Sequence, residues 1–130
     1  MSTAFTQAAE RCARDSHAGA ASFGQIVAAL AQAGTESYYA DYRRRLTNYY
    51  AEDGATHTVE LHAPDLPIPS TFDAAALQAA IRGAQRGEVM YPEFMRLSMA
   101  AGCVGYMVWI AGRHVSYFGR RGEVHVEAFP

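Results

Sequence analysis

The residues best equipped to meet a ligand are the aromatic ones: eight tyrosines and one tryptophan in a chain of 130 residues. A tyrosine joins a large apolar body to a polar tip, so several on one surface suit binding or self-association. Along 38–42, Tyr38, Ala40 and Tyr42 alternate with Tyr39 and Asp41; along 106–110, Tyr106, Val108 and Ile110 alternate with Met107 and Trp109. Successive side chains of a strand point to opposite faces. One set is therefore expected against the helices, and the other (Tyr39, Asp41, Met107, Trp109) outward, as a ligand or partner surface. Ordinary strand composition gives the same pattern, because aromatic residues favour strands.

A second group has the residue types of acid–base chemistry. His125 and Glu127 are two residues apart and share one face of a strand, while His57 has Glu60 three residues on, facing away. His125, Glu127, Tyr117 and Arg113, converging in a cleft, are the catalytic candidates, since imidazole titrates near neutrality and a carboxylate orients it. His57 and His125 hold equivalent places in the repeat described below, so a twofold axis is expected to let two imidazoles face each other. No third ligand recurs, and neither His-x-x-x-His nor paired-cysteine spacing exists, so no metal is expected. Arg43-Arg44-Arg45 ends one hairpin, and Arg113, Arg120 and Arg121 decorate its counterpart. Six guanidinium groups at one end form either a solvated tip or a grip for carboxylate or phosphate.

Other chemistry lacks its signature. There is no lysine, hence no phosphate-cradling glycine loop ending in one, and no Gly-x-Ser-x-Gly elbow. No cofactor is expected. Cys12 and Cys103 sit among small apolar neighbours and read as buried, reduced structural thiols. The net charge of −2 offers no basic field, which argues against nucleic acid as a partner. No stretch reaches the roughly 18 apolar residues of a membrane span, and Met1 to Phe5 lack the layout of a secretion signal. A cytoplasmic protein with no membrane partner is the expectation.

The elements that must position these residues come in two sets. Displacing the chain against itself by 68 positions sets Ala33-Gly34 on Ala101-Gly102, Tyr38 on Tyr106, Arg45 on Arg113, Tyr49 on Tyr117, Gly54 on Gly122 and His57 on His125. Upstream, Arg14 falls on Arg82 and Gly19 on Gly87. Such gapless self-similarity points to duplication of one ααβββ unit. Alanine-rich helices are expected over Thr3–Ser16 and Asp73–Gln85. Second helices begin at Ser22, with a capping box to Gln25, and at Pro92 in the first helical position. Gly34 and Gly102 end them. Strands are expected over Ser37–Arg43, Leu46–Ala51 and Thr56–Leu61, and over Gly105–Ala111, His114–Gly119 and Val124–Phe129, with turns at Arg43-Arg44, Ala111-Gly112, Asp53-Gly54 and Arg121-Gly122. The fold class is thus α+β: about six mostly antiparallel strands covered by about four helices, in one domain over 1–130. Its repeats, about 1–62 and 69–130, are joined by a proline-rich crossover, 63–69, too short to separate mobile domains.

Gly87-x-x-x-Tyr91-Pro92-x-Phe94, the following Ala101-Gly102 and Tyr117-Phe118-x-x-x-Gly122 resemble the YdfO-like family of unknown function, whose members are often labelled "phage envelope protein". Ala33-Gly34-x-x-Ser37-Tyr38, Tyr49-Tyr50-x-x-Asp53-Gly54 and the closing Val126-Glu127-Ala128-Phe129-Pro130 are similar to the same family. The resemblance covers roughly residues 20 to 130. It implies a small bacterial or prophage-borne cytoplasmic α+β protein, and supplies no activity for any residue.

Three roles follow in order. The first is a non-catalytic binding or regulatory module holding a small molecule or protein on an aromatic sheet face with Tyr39, Asp41, Met107, Trp109, His57 and His125. The second is a small acid–base enzyme using His125, Glu127, Tyr117 and Arg113. The third is a homo-oligomeric structural or phage-associated protein.

Overall fold

The computed structural model describes residues 3–130; Met1 and Ser2, the head of the stretch read above against a secretion signal, lie outside the described residues. Helices α1 (Thr3–Ala18) and α2 (Phe23–Gln32) precede strands β1 (Thr35–Asp41), β2 (Leu46–Ala51) and β3 (Thr56–Glu60). The order then repeats with α3 (Ala74–Gln85), α4 (Tyr91–Ala100), β4 (Cys103–Trp109), β5 (His114–Gly119) and β6 (Val124–Ala128). Every pairing is antiparallel, and the sheet runs β3-β2-β1-β4-β5-β6. The fold is α+β, with four helices and six strands among the described residues.

Local chemistry explains the boundaries. The Ser22 hydroxyl accepts from the Gln25 N–H while the Gln25 side chain accepts from the Ser22 N–H, closing the capping box of α2. Asp73 caps α3 through the Ala76 N–H. Pro92 lies one residue later than expected: Met90 is the N-cap of α4, so Tyr91 leads the helix and Pro92 is second, where a missing N–H is still harmless. Gly34 and Gly102 take φ of +90° and +93° beyond their helices, as the helix stops require.

Strands β1 and β4 begin and end two residues earlier than expected. The Asp41 carboxylate accepts from the Arg43 and Arg44 N–H groups, and the Arg45 N–H donates to the Asp41 carbonyl, so the chain turns at once after Asp41. The left-handed residue of each hairpin is also one place later than the expected turn pairs. Arg45 and Arg113, at φ of 59° and 58°, take it, although an L side chain there costs about 1 kcal/mol or more.

The seam between the halves is β1 against β4, from Ser37 opposite Trp109 to Asp41 opposite Gly105. Tyr38, Ala40 and Tyr42 of the first half and Tyr106, Val108 and Ile110 of the second are buried in a core shared with Leu30, Leu77 and Met95 of the helices. The segment from Leu61 to Asp73 passes the end of the sheet that carries the first hairpin tip: the Leu61 N–H donates to the Arg45 carbonyl and the Asp73 N–H to that of Ala101.

Candidate functional site

Strand periodicity sorts the aromatic residues as expected. Tyr39, Asp41 and Met107 lie on the face without helices, partly shielded by their neighbours, and Trp109 is 39% exposed there. Val124 and Val126 extend this face at the β6 edge, 52% and 57% exposed. The Trp109 indole N–H donates to the Ser116 hydroxyl. Asp41 is occupied by the turn it caps. Tyr39, Met107, Trp109, Val124 and Val126 line neither of the two hollows described below.

The histidines do not meet. β3 and β6 are the two outer edges of the sheet, so five strand spacings, about 24 Å, separate His57 from His125. Joining the two hairpins through β1 and β4 sends the third strands outward, which removes the facing-imidazole arrangement. Each histidine instead contacts its own carboxylate. His57 Nε2 bonds Glu10 of α1 at 2.7 Å; His125 Nε2 bonds Glu127 of its own strand at 2.7 Å. Glu10 and Gln78 are 68 residues apart, as are Val59 and Glu127, so the carboxylate is on the helix in one half and on the strand in the other.

The basic tips also separate. Antiparallel pairing brings Arg43, Arg44 and Arg45 to the end of the sheet that holds Arg120 and Arg121, because Asp41 is opposite Gly105 and Cys103 is opposite Gly119. Arg113 belongs to the other end, following β4 where it pairs with the start of β1. Five arginines, not six, share an end. Arg43 and Arg120 line a small hollow there with Leu66 and Ile68, and the Arg120 guanidinium donates to the Ile68 carbonyl.

A larger cleft, roughly 1130 Å³, opens on the helix side. Its walls are α2, the α1–α2 loop and the segment from the end of α3 into α4; its floor is Tyr38, Tyr106, Val115 and Tyr117 of the sheet; Glu127, Phe129 and Arg113 close one side. α1 packs directly on β3, whereas α3 reaches β6 chiefly through polar bonds. The two loops meet above the cleft at Gly19, where any side chain would strike the terminal methyl of Met90.

Polar groups in this cleft are unequally satisfied. Tyr91 and Tyr106 share a 2.6 Å hydroxyl–hydroxyl bond. Tyr38 and Tyr117, only 6% and 8% exposed as residues, line the cleft, and their hydroxyls face its space without a protein partner; the buried side-chain oxygen left unpartnered among the described residues is instead Thr35 Oγ1. Burial pushes the Tyr38, Tyr106 and Tyr117 hydroxyls well above the usual tyrosine range and Tyr91 up to about 12, so all four are neutral at physiological pH. Glu127, 9% exposed, accepts from Arg82 at 2.8 Å, His125 at 2.7 Å and Gln78 at 3.4 Å. Burial alone would raise its carboxyl; the bonds from Arg82, His125 and Gln78, with the Arg82 charge, outweigh that and hold it lowered.

Of the weak catalytic candidates, His125, Glu127 and Tyr117 are brought together, with the Tyr117 and His125 rings 6.4 Å apart. Arg113 stands at the same cleft with its guanidinium over the Phe129 ring at 5.4 Å. Sequence reasoning missed Tyr38, Tyr91 and Tyr106 as cleft residues. The inward placement of Tyr38 and Tyr106 was legible, but that of Tyr91 and the position of the helices above all three were not. Among the described residues no cluster of three histidine, cysteine or acidic side chains could hold a metal, and no helix is long and apolar enough to cross a membrane. Cys12 and Cys103 are free and buried, and burial pushes the Cys103 thiol up to about 11.

Comparison with known proteins gives a family profile described as "Protein of unknown function (DUF1398)", which matches residues 16–128. That description carries neither the YdfO-like name nor the phage-envelope label. No curated protein matches the chain.

Proposed function

This chain belongs to the DUF1398 family of unknown function, and from its own geometry we propose that it is a non-catalytic binding module taking a small, largely apolar molecule into the helix-side cleft. One observation carries the reading: two largely buried tyrosines, Tyr38 and Tyr117, turn hydroxyls without protein partners toward an apolar-walled cleft. Hydroxyls that the fold does not bond and that face the cleft can bond a guest directly or through a water. The cleft, at roughly 1130 Å³, is slightly larger than the usual ligand range of about 300–1,000 Å³. A few polar groups on apolar walls is the common composition of such sites.

The acid–base alternative has proximity but lacks suitable ionisation. Tyr117 is held neutral by burial, and three donors hold the Glu127 charge in place. Neither group is poised to exchange a proton near neutrality. The open sheet face supports a second reading, in which Tyr39, Asp41, Met107 and Trp109 contact a protein or another copy of this chain. The exposure of Trp109, Val124 and Val126 favours it. In our reading the two ααβββ halves descend from one duplicated unit, and the two free thiols suit a reducing cytoplasm.

The test compares three hydroxyl deletions by calorimetric titration with octanamide and naphthalene-2-carboxamide. Tyr38→Phe and Tyr117→Phe remove hydroxyls the fold does not use. They should change stability by less than about 0.5 kcal/mol while weakening amide binding by about fivefold. Tyr42→Phe removes a 2.8 Å bond to Ser98 outside the cleft; it should cost about 1 kcal/mol of stability and leave binding unchanged. Equal losses in all three variants would overturn the proposal, as would absence of binding by both amides and by their carboxylate counterparts alike.

A further inference from the structure

The cleft has a formal charge pattern that selects among small apolar molecules. Glu127 is its one acidic side chain, and Arg82 neutralises it at 2.8 Å with two further donors completing its shell. Little of its charge is left to recruit a cationic ligand. Arg113 is the one arginine lining the cleft, exposed at the rim, and it makes no ion pair among the described residues. Its guanidinium is already oriented, lying over Phe129, which packs edge-on against Phe23 of the facing helix at 5.4 Å between ring centres. An oriented guanidinium loses less freedom on meeting a carboxylate than a free one, and its planar fork matches two carboxylate oxygens.

Resting on the cleft reading above, we infer that the ligand class is an amphipathic monocarboxylic acid. Its aliphatic or aromatic body lies between α2 and the sheet floor, and its carboxylate is held by Arg113 at the rim. The unpartnered Tyr38 and Tyr117 hydroxyls then bond a polar substituent on the body or an enclosed water. An amine-bearing ligand is disfavoured, because its charge would face Arg113 and find Glu127 already satisfied.

Matched pairs that differ only in charge test this: octanoate against octanamide, and naphthalene-2-carboxylate against naphthalene-2-carboxamide, titrated calorimetrically into the full chain. The carboxylate of each pair should bind about tenfold more tightly than its amide at low salt. The preference should shrink with added salt, as expected for an exposed cation. Arg113→Asn is the deletion of choice, since asparagine tolerates the left-handed backbone at this position and the Arg113 carbonyl still accepts from the Phe129 N–H. It should abolish the carboxylate preference and leave amide binding intact, while Arg113→Lys should retain part of it. Equal affinity for acid and amide in the parent chain, or a preference surviving Arg113→Asn, overturns the acid assignment while the cleft reading stands. If neither member of either pair binds, the cleft reading itself fails and this assignment falls with it.

Discussion

Glu127 shows at the residue scale how a buried charge is kept charged. Its carboxyl is lowered despite burial because Arg82, His125 and Gln78 all donate to it. A group whose folded pKa lies below its unfolded value adds stability that is present above the unfolded value and lost as pH falls through the folded one. Glu127→Gln should therefore cost about 1–2 kcal/mol at pH 7. The gap to the parent chain should narrow as pH drops below about 4.5. Urea melts across that range check it; a gap independent of pH would show that the charge contributes nothing. The pairing of His125 with Glu127 was legible, since residues two apart in a strand share a face. The contribution of Arg82 was not, because it comes from a helix 45 residues earlier and depends on how α3 lies over β6.

At the scale of elements, short-range chemistry was the readable part. Ser22 with Gln25, Asp73, Gly34 and Gly102 all act within four residues of the boundary they set, so their roles follow from spacing. Ser22→Ala should lower stability by about 1 kcal/mol, seen as a lower thermal midpoint, with Gln25→Ala acting in the same direction. No change in either would mean that packing, not capping, sets the start of α2. The two-residue error at β1 has a definite cause. Tyr42 and Arg43 suit a strand by type, but the Asp41 carboxylate bonds two successive N–H groups and turns the chain first. The helix-side cleft was beyond local reading altogether, since it arises from the distance between α2 and the α3–α4 segment across the sheet.

Across the whole molecule, the halves are joined by a single strand pair, β1 with β4, beneath a common core. Residues 1–66 expressed alone would leave β1 as an unpaired edge and strip Tyr38, Ala40 and Tyr42 of their neighbours Tyr106 and Val108. A three-stranded sheet with two helices and half a core is marginal. The fragment should show no cooperative thermal transition by circular dichroism, and a sharp one would mean that each half is its own domain. At the seam, Gly105 lets two strands approach where a Cβ would run into the Ala40 carbonyl and the Tyr39 ring. Repetition of the element order was visible in the 68-residue self-match. The outward placement of the third strands, which parts His57 from His125, became clear only from which strands pair at the centre.

The differing origin of the two carboxylates has a mechanical result. If α1 lifts from the sheet, the His57–Glu10 bond must break, because its two partners ride on different elements. If α3 lifts, His125 and Glu127 stay bonded within β6, and only the contacts from Arg82 and Gln78 are released. Lifting α1 thus parts a histidine from its carboxylate, whereas lifting α3 leaves that couple whole and strips Glu127 of its arginine.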